Sequence, residues 1–179
     1  VSVPFIVALG LPDRAKATNV KSKSWTENED ALSKAGTVGR GVVDLEALAK
    51  YAPDVLVHRA NDPKTVEAVS KLNIKVLCIK AENFEDIKST LTMMGKYFGA
   101  SDRAEKVCEW LDLKFAYIDS IVQTIPEDKK VTALVMGGEL GRIAGGDMLQ
   151  SWMIDKAGGV CVANGITANN SWTDVGIET

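Results

Sequence analysis

Residues 101–125, SDRAEKVCEWLDLKFAYIDSIVQTI, are the longest uninterrupted helical pattern in the chain. Ser101 is a good N-cap, Asp102 places an acid in the first turn, and Pro126 stops the helix. No glycine or proline intervenes. Ala104, Val107, Cys108, Leu111, Phe115, Ile118, Val122 and Ile125 recur at helical spacing, with Arg103, Glu105, Glu109, Asp112, Asp119 and Gln123 largely elsewhere on the wheel. Such a helix spans about 36 Å, the diameter of a small domain. Strand-and-helix alternation precedes it and a second alternation follows. It reads as a rigid strut between two α/β lobes, with boundaries at 1–100, 101–125 and 126–179.

The chain has 179 residues, 46% hydrophobic and 25% charged, enough for one domain or two small lobes. A formal net charge of −3 argues against a nucleic-acid surface. No apolar run approaches the roughly 20 residues that span a bilayer. The three cysteines, Cys78, Cys108 and Cys161, match no metal motif and are expected to be buried and inert.

Before the strut, Pro4 to Leu9 reads as a short helix closed by Gly10, and Ala15 to Val20 as a short strand. Thr26 and Glu29 form a capping box for a helix running to Ala35. Gly36 to Gly41, GTVGRG, is a close-approach loop rather than a phosphate fingerprint. Asp44 caps a helix, Val55 to Val57 is a strand, His58 to Asp62 a loop, and Pro63 opens a helix through Leu72. Lys75 to Ile79 is a second apolar strand. Asn83 caps a helix that Gly99 closes. Continuous apolar strands joined by crossover helices imply parallel sheets covered on both faces.

After the strut, Val131 to Met136 reads as a strand, Arg142 to Ala144 as a short one, and Gly145-Gly146-Asp147 as the opening of a helix to Ala157. Val160 to Ala163 is a further strand, and Trp172 stands alone before a tail. These elements are too few to close a second lobe, which is therefore expected to be incomplete.

Catalytic chemistry is poorly supported. There is one histidine, no Gly-x-Ser-x-Gly elbow, and no cysteine and histidine in a recognisable pattern. One imidazole also argues against a receptor for a free divalent metal ion. Ligands of open parallel sheets bind outside the carboxyl ends of the strands. Arg40 among glycines, His58 with Arg59 after Val57, and Glu139 with Arg142 after Gly137-Gly138 occupy such places. Trp25 and Trp172 add flat apolar surfaces in polar loops. Together they suit a planar or anionic ligand. Each alone is equally readable as a solvated cation or a structural plug.

Three segments, DLEALAKYAPDVLVHRANDPKTVEAVSKLNIKVLCI (44–79), ENFEDIKSTLTMMGKYFGASDRAEKV (82–107) and AGGDMLQSWMIDKAGGVCVAN (144–164), resemble the substrate-binding proteins of ABC importers for iron complexes, haem and cobalamin. The resemblance implies two α/β lobes joined by one long helix, a metal chelate held between them, and no catalytic residue, cofactor or resident metal. An iron(III)-siderophore-type chelate is the expected ligand, with haem or cobalamin as the alternative. A metallocofactor-assembly or redox enzyme of similar architecture is the alternative from another class. The resemblance also implies permease subunits as partners, a periplasmic or cell-surface lipoprotein location with its signal and lipid anchor outside this chain, and a first strand preceding Val1. It assigns Glu46, in Asp44-Leu45-Glu46, and Glu178, in the W..V..E pattern of Trp172, Val175 and Glu178, to permease docking.

Overall fold

The computed structural model describes residues 2–23, 30–168 and 171–176. It is a mixed α/β fold of short helices, short strand pairs and one long helix. The chain divides into two compact units, 1–80 with 89–107, and 81–88 with 108–179. The division passes through the two longest helices.

In the first unit, α1 (Ser2–Ala8) is followed by β1 (Ala17–Thr18), α2 (Val20–Lys23) and β2 (Gly36–Thr37), with β1 and β2 parallel. The expected helix started by Thr26 falls partly outside the described residues, and residues 30–34 form turns. Helix α3 (Leu45–Tyr51) starts as expected at Asp44, whose side chain accepts from the Ala47 amide. Strands β3 (Val55–Arg59) and β4 (Lys75–Ile79) are parallel, joined by α4 (Pro63–Ser70). One core cluster joins Val38, Leu48 and Val69 to Leu56, Ile74 and Val76, so α3 and α4 share a core with the β3–β4 pair. Another gathers Val3, Leu32 and Ala35.

Helix α5 (Phe84–Phe98) begins where Asn83 Oδ1 accepts from the Asp86 amide, and Gly99 closes it at φ +72°. The long helix α6 (Ser101–Val122) then starts at once. Ser101 is its first residue rather than its cap. The Ala100 carbonyl takes the Ala104 amide while the Ala100 amide still bonds to Gly95, so the turn is too tight for a separate capping residue. A Cβ at Gly95 would sit 2.6 Å from that of Ala104, so only glycine lets the two helices meet there. The helix ends at Val122, three residues early, because Thr124 and Ile125 tighten to bonds three residues back. At 22 residues it is about 33 Å long. Its predicted stripe is buried or half-buried, but Trp110, Leu113, Tyr117 and Ile121 are exposed on it as well.

In the second unit, β5 (Thr132–Ala133) pairs in parallel with β7 (Val160–Cys161), and β6 (Arg142–Ala144) pairs antiparallel with β8 (Trp172–Asp174). Ile143, Cys161 and Ala163 form its core with Ile154, Ile166 and Val175. Three expectations change here. The strand over 131–136 shortens to two residues, with Met136 bridging Ile143 instead. The helix α7 covers only Leu149–Lys156, because Gly145 to Asp147 form a turn that grips the 163–168 loop. Trp172 does not stand alone but pairs with Ala144. Among the described residues, no helix is long and apolar enough to cross a membrane.

Cysteine burial also departs from expectation. Cys161 is buried, Cys108 is half-buried, and Cys78 is exposed. Along β4 the burial runs from half-buried Val76 and Leu77 through exposed Cys78 to buried Ile79, so the side chain of Cys78 lies on a face that is left open at its position.

Candidate functional site

The first candidate group sits at the carboxyl ends of β3 and β4. His58 is not in a loop. It is the fourth residue of β3, because its ladder with β4 continues through Arg59. Asp62 caps α4 through the Thr65 amide, with Pro63 supplying the first helical position where a missing N–H costs nothing. The same carboxylate receives three further contacts. His58 Nε2 lies 3.0 Å from Oδ2, the Thr65 hydroxyl donates to it at 2.9 Å, and an Arg59 Nη2 lies 3.7 Å away. The hydrogen bond from His58, then that from Thr65, hold the Asp62 carboxyl at about 2, below its ordinary 3.8. An ionised carboxylate only accepts, so Nε2 carries the proton.

Asp62 thus orients two cationic or dipolar groups. The His58 side chain is 17% exposed, and that of Arg59 is 53% exposed. Arg59 is therefore held loosely through one guanidinium nitrogen while about half of its side chain stays open to solvent. Asp62 escaped the sequence reading, although its spacing four residues after His58 and three before Thr65 was there to see.

Both His58 and Arg59 also line a cavity of about 570 Å3 inside the first unit, together with Tyr51, Tyr97 and Phe98. Arg40 lies beyond it in an exposed loop and makes no ion pair among the described residues. The glycines around it have steric reasons. A Cβ on Gly36 would overlap the Tyr51 ring, and one on Gly39, at φ +97°, would overlap the Val42 carbonyl. The close-approach reading of GTVGRG is explained by Tyr51, a residue that sequence spacing does not connect to it.

The second group is in the second unit. Residues 137–142 form a turn in which the Gly137 amide donates to the Arg142 carbonyl and the Arg142 amide to the Glu139 carbonyl. Arg142 and Glu139 form a loose ion pair at 3.7 Å, and both are well exposed. Arg142 opens β6 and faces Asp174 in register, while Trp172, half-buried, pairs with Ala144 at its far end. The structure therefore brings Arg142, Glu139 and Trp172 onto one antiparallel pair and its turn.

The AGGD run beside them is a close-packing device. A Cβ at Gly146 would sit 2.5 Å from the Ala163 carbonyl, and one at Gly145 would sit 2.7 Å from Ala168 Cβ. Buried Ser151 donates to the Gly145 carbonyl at 2.8 Å. This turn fixes the loop that leads to Trp172.

Of the remaining candidates, Glu46 is exposed in the first turn of α3, 3.3 Å from Lys50. Trp25 and Glu178 lie outside the described residues. No group of three histidine, cysteine or acidic side chains among the described residues is arranged to hold a metal ion.

The periplasmic binding protein family matches residues 2–179, and the chain belongs to that family. A search of curated proteins found no match. Solved structures with the same fold include a periplasmic haem binding protein from Pseudomonas aeruginosa (TM-score 0.81, 19% identity, covering 97% of this chain and 62% of that one). An ABC transporter substrate-binding protein from Listeria monocytogenes gives a TM-score of 0.79 at 16% identity, covering 98% of this chain and 66% of that one. A periplasmic vitamin B12 binding protein from Vibrio cholerae gives 0.76 at 13% identity, covering 99% and 68%. The chain spans 56–68% of the lengths of eight solved structures that share its fold.

Proposed function

We propose that this chain acts as a solute receptor of an ABC importer, taking an iron(III)-siderophore-type chelate and delivering it to membrane permease subunits. Membership of the periplasmic binding protein family is the observation that carries the class. The structural neighbours described as binding iron, haem or vitamin B12 support a metal-chelate ligand. Arg59 supports an anionic one. Its side chain is half exposed and one guanidinium nitrogen lies beside Asp62, which orients the rest as a donor for carboxylate, catecholate or hydroxamate oxygens. Arg40 and Arg142 add positive charge, Trp25 and Trp172 would pack on apolar faces of the chelate, and His58 and Glu139 would contribute polar contacts. Haem or cobalamin is the second reading within the class. Binding, rather than catalysis, is the role assigned. Glu46 and Glu178 are the residues for permease docking, and a periplasmic or extracellular location, with a lipid anchor, follows from the same role.

The test is a binding screen of the full-length protein against ferric siderophores, haem and cobalamin, read by tryptophan fluorescence and calorimetry. Saturable binding of a ferric siderophore with weak binding of the other two supports the proposal. Tight binding of haem or cobalamin alone moves the assignment to the second reading, and turnover of a bound metallocofactor overturns the class.

A further inference from the structure

Asn164 is the only asparagine of the chain that is followed by a glycine. It lies just after β7, in the turn that the Ile166 amide closes on the Ala163 carbonyl at 2.8 Å. Asn164 and Gly165 are both exposed. The Gly165 amide donates to nothing among the described residues, and a Cβ at Gly165 would meet nothing within 4 Å. An unengaged backbone nitrogen with open space around it thus follows a carboxamide. Such a nitrogen can close a succinimide ring on the asparagine Cγ, and glycine favours the step because no Cβ hinders the close approach of its backbone.

The same carboxamide fastens the loop. Asn164 Nδ2 donates to Asp155 Oδ2 at 2.9 Å, and Asp155 Oδ1 accepts from the Cys161 amide at 3.0 Å. One carboxylate near the end of α7 therefore ties β7 to the turn that follows it. A carboxylate only accepts, so the clasp works while residue 164 offers N–H groups and fails without them. Further along, the Gly146 amide donates to the Ile166 carbonyl at 2.7 Å and the Ala168 amide to Asp147 Oδ1 at 3.2 Å. These bonds hold the loop that leads to Trp172.

We propose that Asn164-Gly165 is a deamidation site that unfastens this loop as the protein ages. The Gly165 nitrogen bonds to Asn164 Cγ, the Cγ–Nδ2 bond breaks, and Nδ2 leaves as ammonia with the proton that Gly165 gives up. Water then opens the succinimide at one of its two carbonyls, giving aspartate or isoaspartate. Nothing is oxidised or reduced. The bond from Nδ2 to Asp155 must open for the attack, so the folded chain converts more slowly than a free peptide of the same sequence.

Either product sets a carboxylate against Asp155 where a donor stood, and like charges in contact repel. Isoaspartate also routes the main chain through its β carbon, which displaces Ile166 from its bonds with Ala163 and Gly146. The loop before Trp172 is then released at its β7 end. The reaction needs no ligand, so it proceeds whichever solute the protein takes.

The experiment incubates the chain and a peptide of residues 161–168 at mildly alkaline pH. Peptide mapping by mass spectrometry follows residue 164, and an isoaspartyl methyltransferase reads isoaspartate. Asn164 is expected to convert in both, more slowly in the folded chain. Gly165→Ala has room for its methyl and no positive φ to strain, so it should fold as the parent does. It is expected to slow conversion by about tenfold, a barrier change of about 1.4 kcal/mol. Asn164→Asp stands for the product, and amide exchange at Gly146 and Ala168 should quicken in it by about tenfold while the β3 amides keep their rates. Asn164 intact in the folded chain after the peptide has fully converted overturns the proposal. So does conversion as fast in Gly165→Ala as in the parent, or unchanged exchange at Gly146 and Ala168 in Asn164→Asp.

Discussion

His58 and Asp62 are joined by a 3.0 Å contact between Nε2 and Oδ2, across the end of a strand and the cap of the next helix. The pair couples the orientation of an imidazole to the start of α4. Replacing Asp62 by Asn removes the charge from the bond and should cost about 1–2 kcal/mol at pH 7. The pH dependence has a definite sign. The Asp62 carboxyl is held at about 2 in the fold against 3.8 ordinarily, so its contribution is fully present above about pH 4 and is lost as pH falls toward 2. Urea unfolding of both proteins should show the stability gap closing over that window. A gap that stays constant from pH 5 to pH 2 would remove Asp62 from this role.

The glycines divide into those with a neighbour to clash with and those without. Gly146→Ala places a methyl 2.5 Å from the Ala163 carbonyl and should cost about 1–3 kcal/mol. Gly138→Ala, one turn away, meets nothing within 4 Å and keeps an ordinary φ. Its effect should stay within about 0.5 kcal/mol. Thermal unfolding of the two variants separates a packing constraint from a general intolerance of the glycine-rich segments.

What was legible in the sequence was local. The caps at Asp44 and Asn83, the Pro63 start and the Gly99 stop are each set by a residue and its near neighbours, and each stands where spacing placed it. What escaped was set by partners far along the chain. Trp172 looked isolated because its own strand has three residues, too short for a periodic signal, and its partner Ala144 lies far back in the chain. His58 looked like a loop residue because the turn signal of Asn61-Asp62-Pro63 begins only after the ladder has run through Arg59. The exposure of Cys78 depends on what packs over its face of the sheet, which alternation within β4 does not encode.

The aromatic cluster is another non-local feature. Phe84 stacks on Trp152 with centroids 5.3 Å apart, and Phe115 meets both rings edge-on at 4.5 and 5.0 Å. One ring comes from each of α5, α6 and α7. Trp152→Ala should destabilise the protein by about 2–4 kcal/mol through lost burial. A double-mutant cycle of Phe84→Leu with Trp152→Leu should leave a coupling of about 0.5–1.5 kcal/mol. A coupling near zero would show that the rings share a site without interacting.

Glu46 presents its carboxylate to solvent, paired with the exposed Lys50 ammonium 3.3 Å away. An exposed pair of this kind contributes a few tenths of a kcal/mol, so Glu46→Ala should leave stability almost untouched. Combined with Glu178→Ala in the intact protein, it should abolish uptake through the importer while leaving ligand affinity unchanged. A large loss of affinity in the double variant would contradict a docking role for these residues.

Arg59 gives the sharpest test of ligand charge. Its contact with Asp62 is long, and Asp62 keeps the closer His58 and Thr65 bonds without it, so Arg59→Ala should fold normally. Loss of a charge-assisted bond to a ligand oxygen corresponds to about tenfold or more in affinity. Calorimetry should show that loss for an anionic ferric chelate and a much smaller one for a neutral chelate of similar size. Raising the salt concentration should narrow the difference, because the Arg59 head is half exposed and its field is screened. Equal losses for the two chelates would mean that Arg59 contributes shape alone, and the anionic preference would then have to come from Arg40 or Arg142.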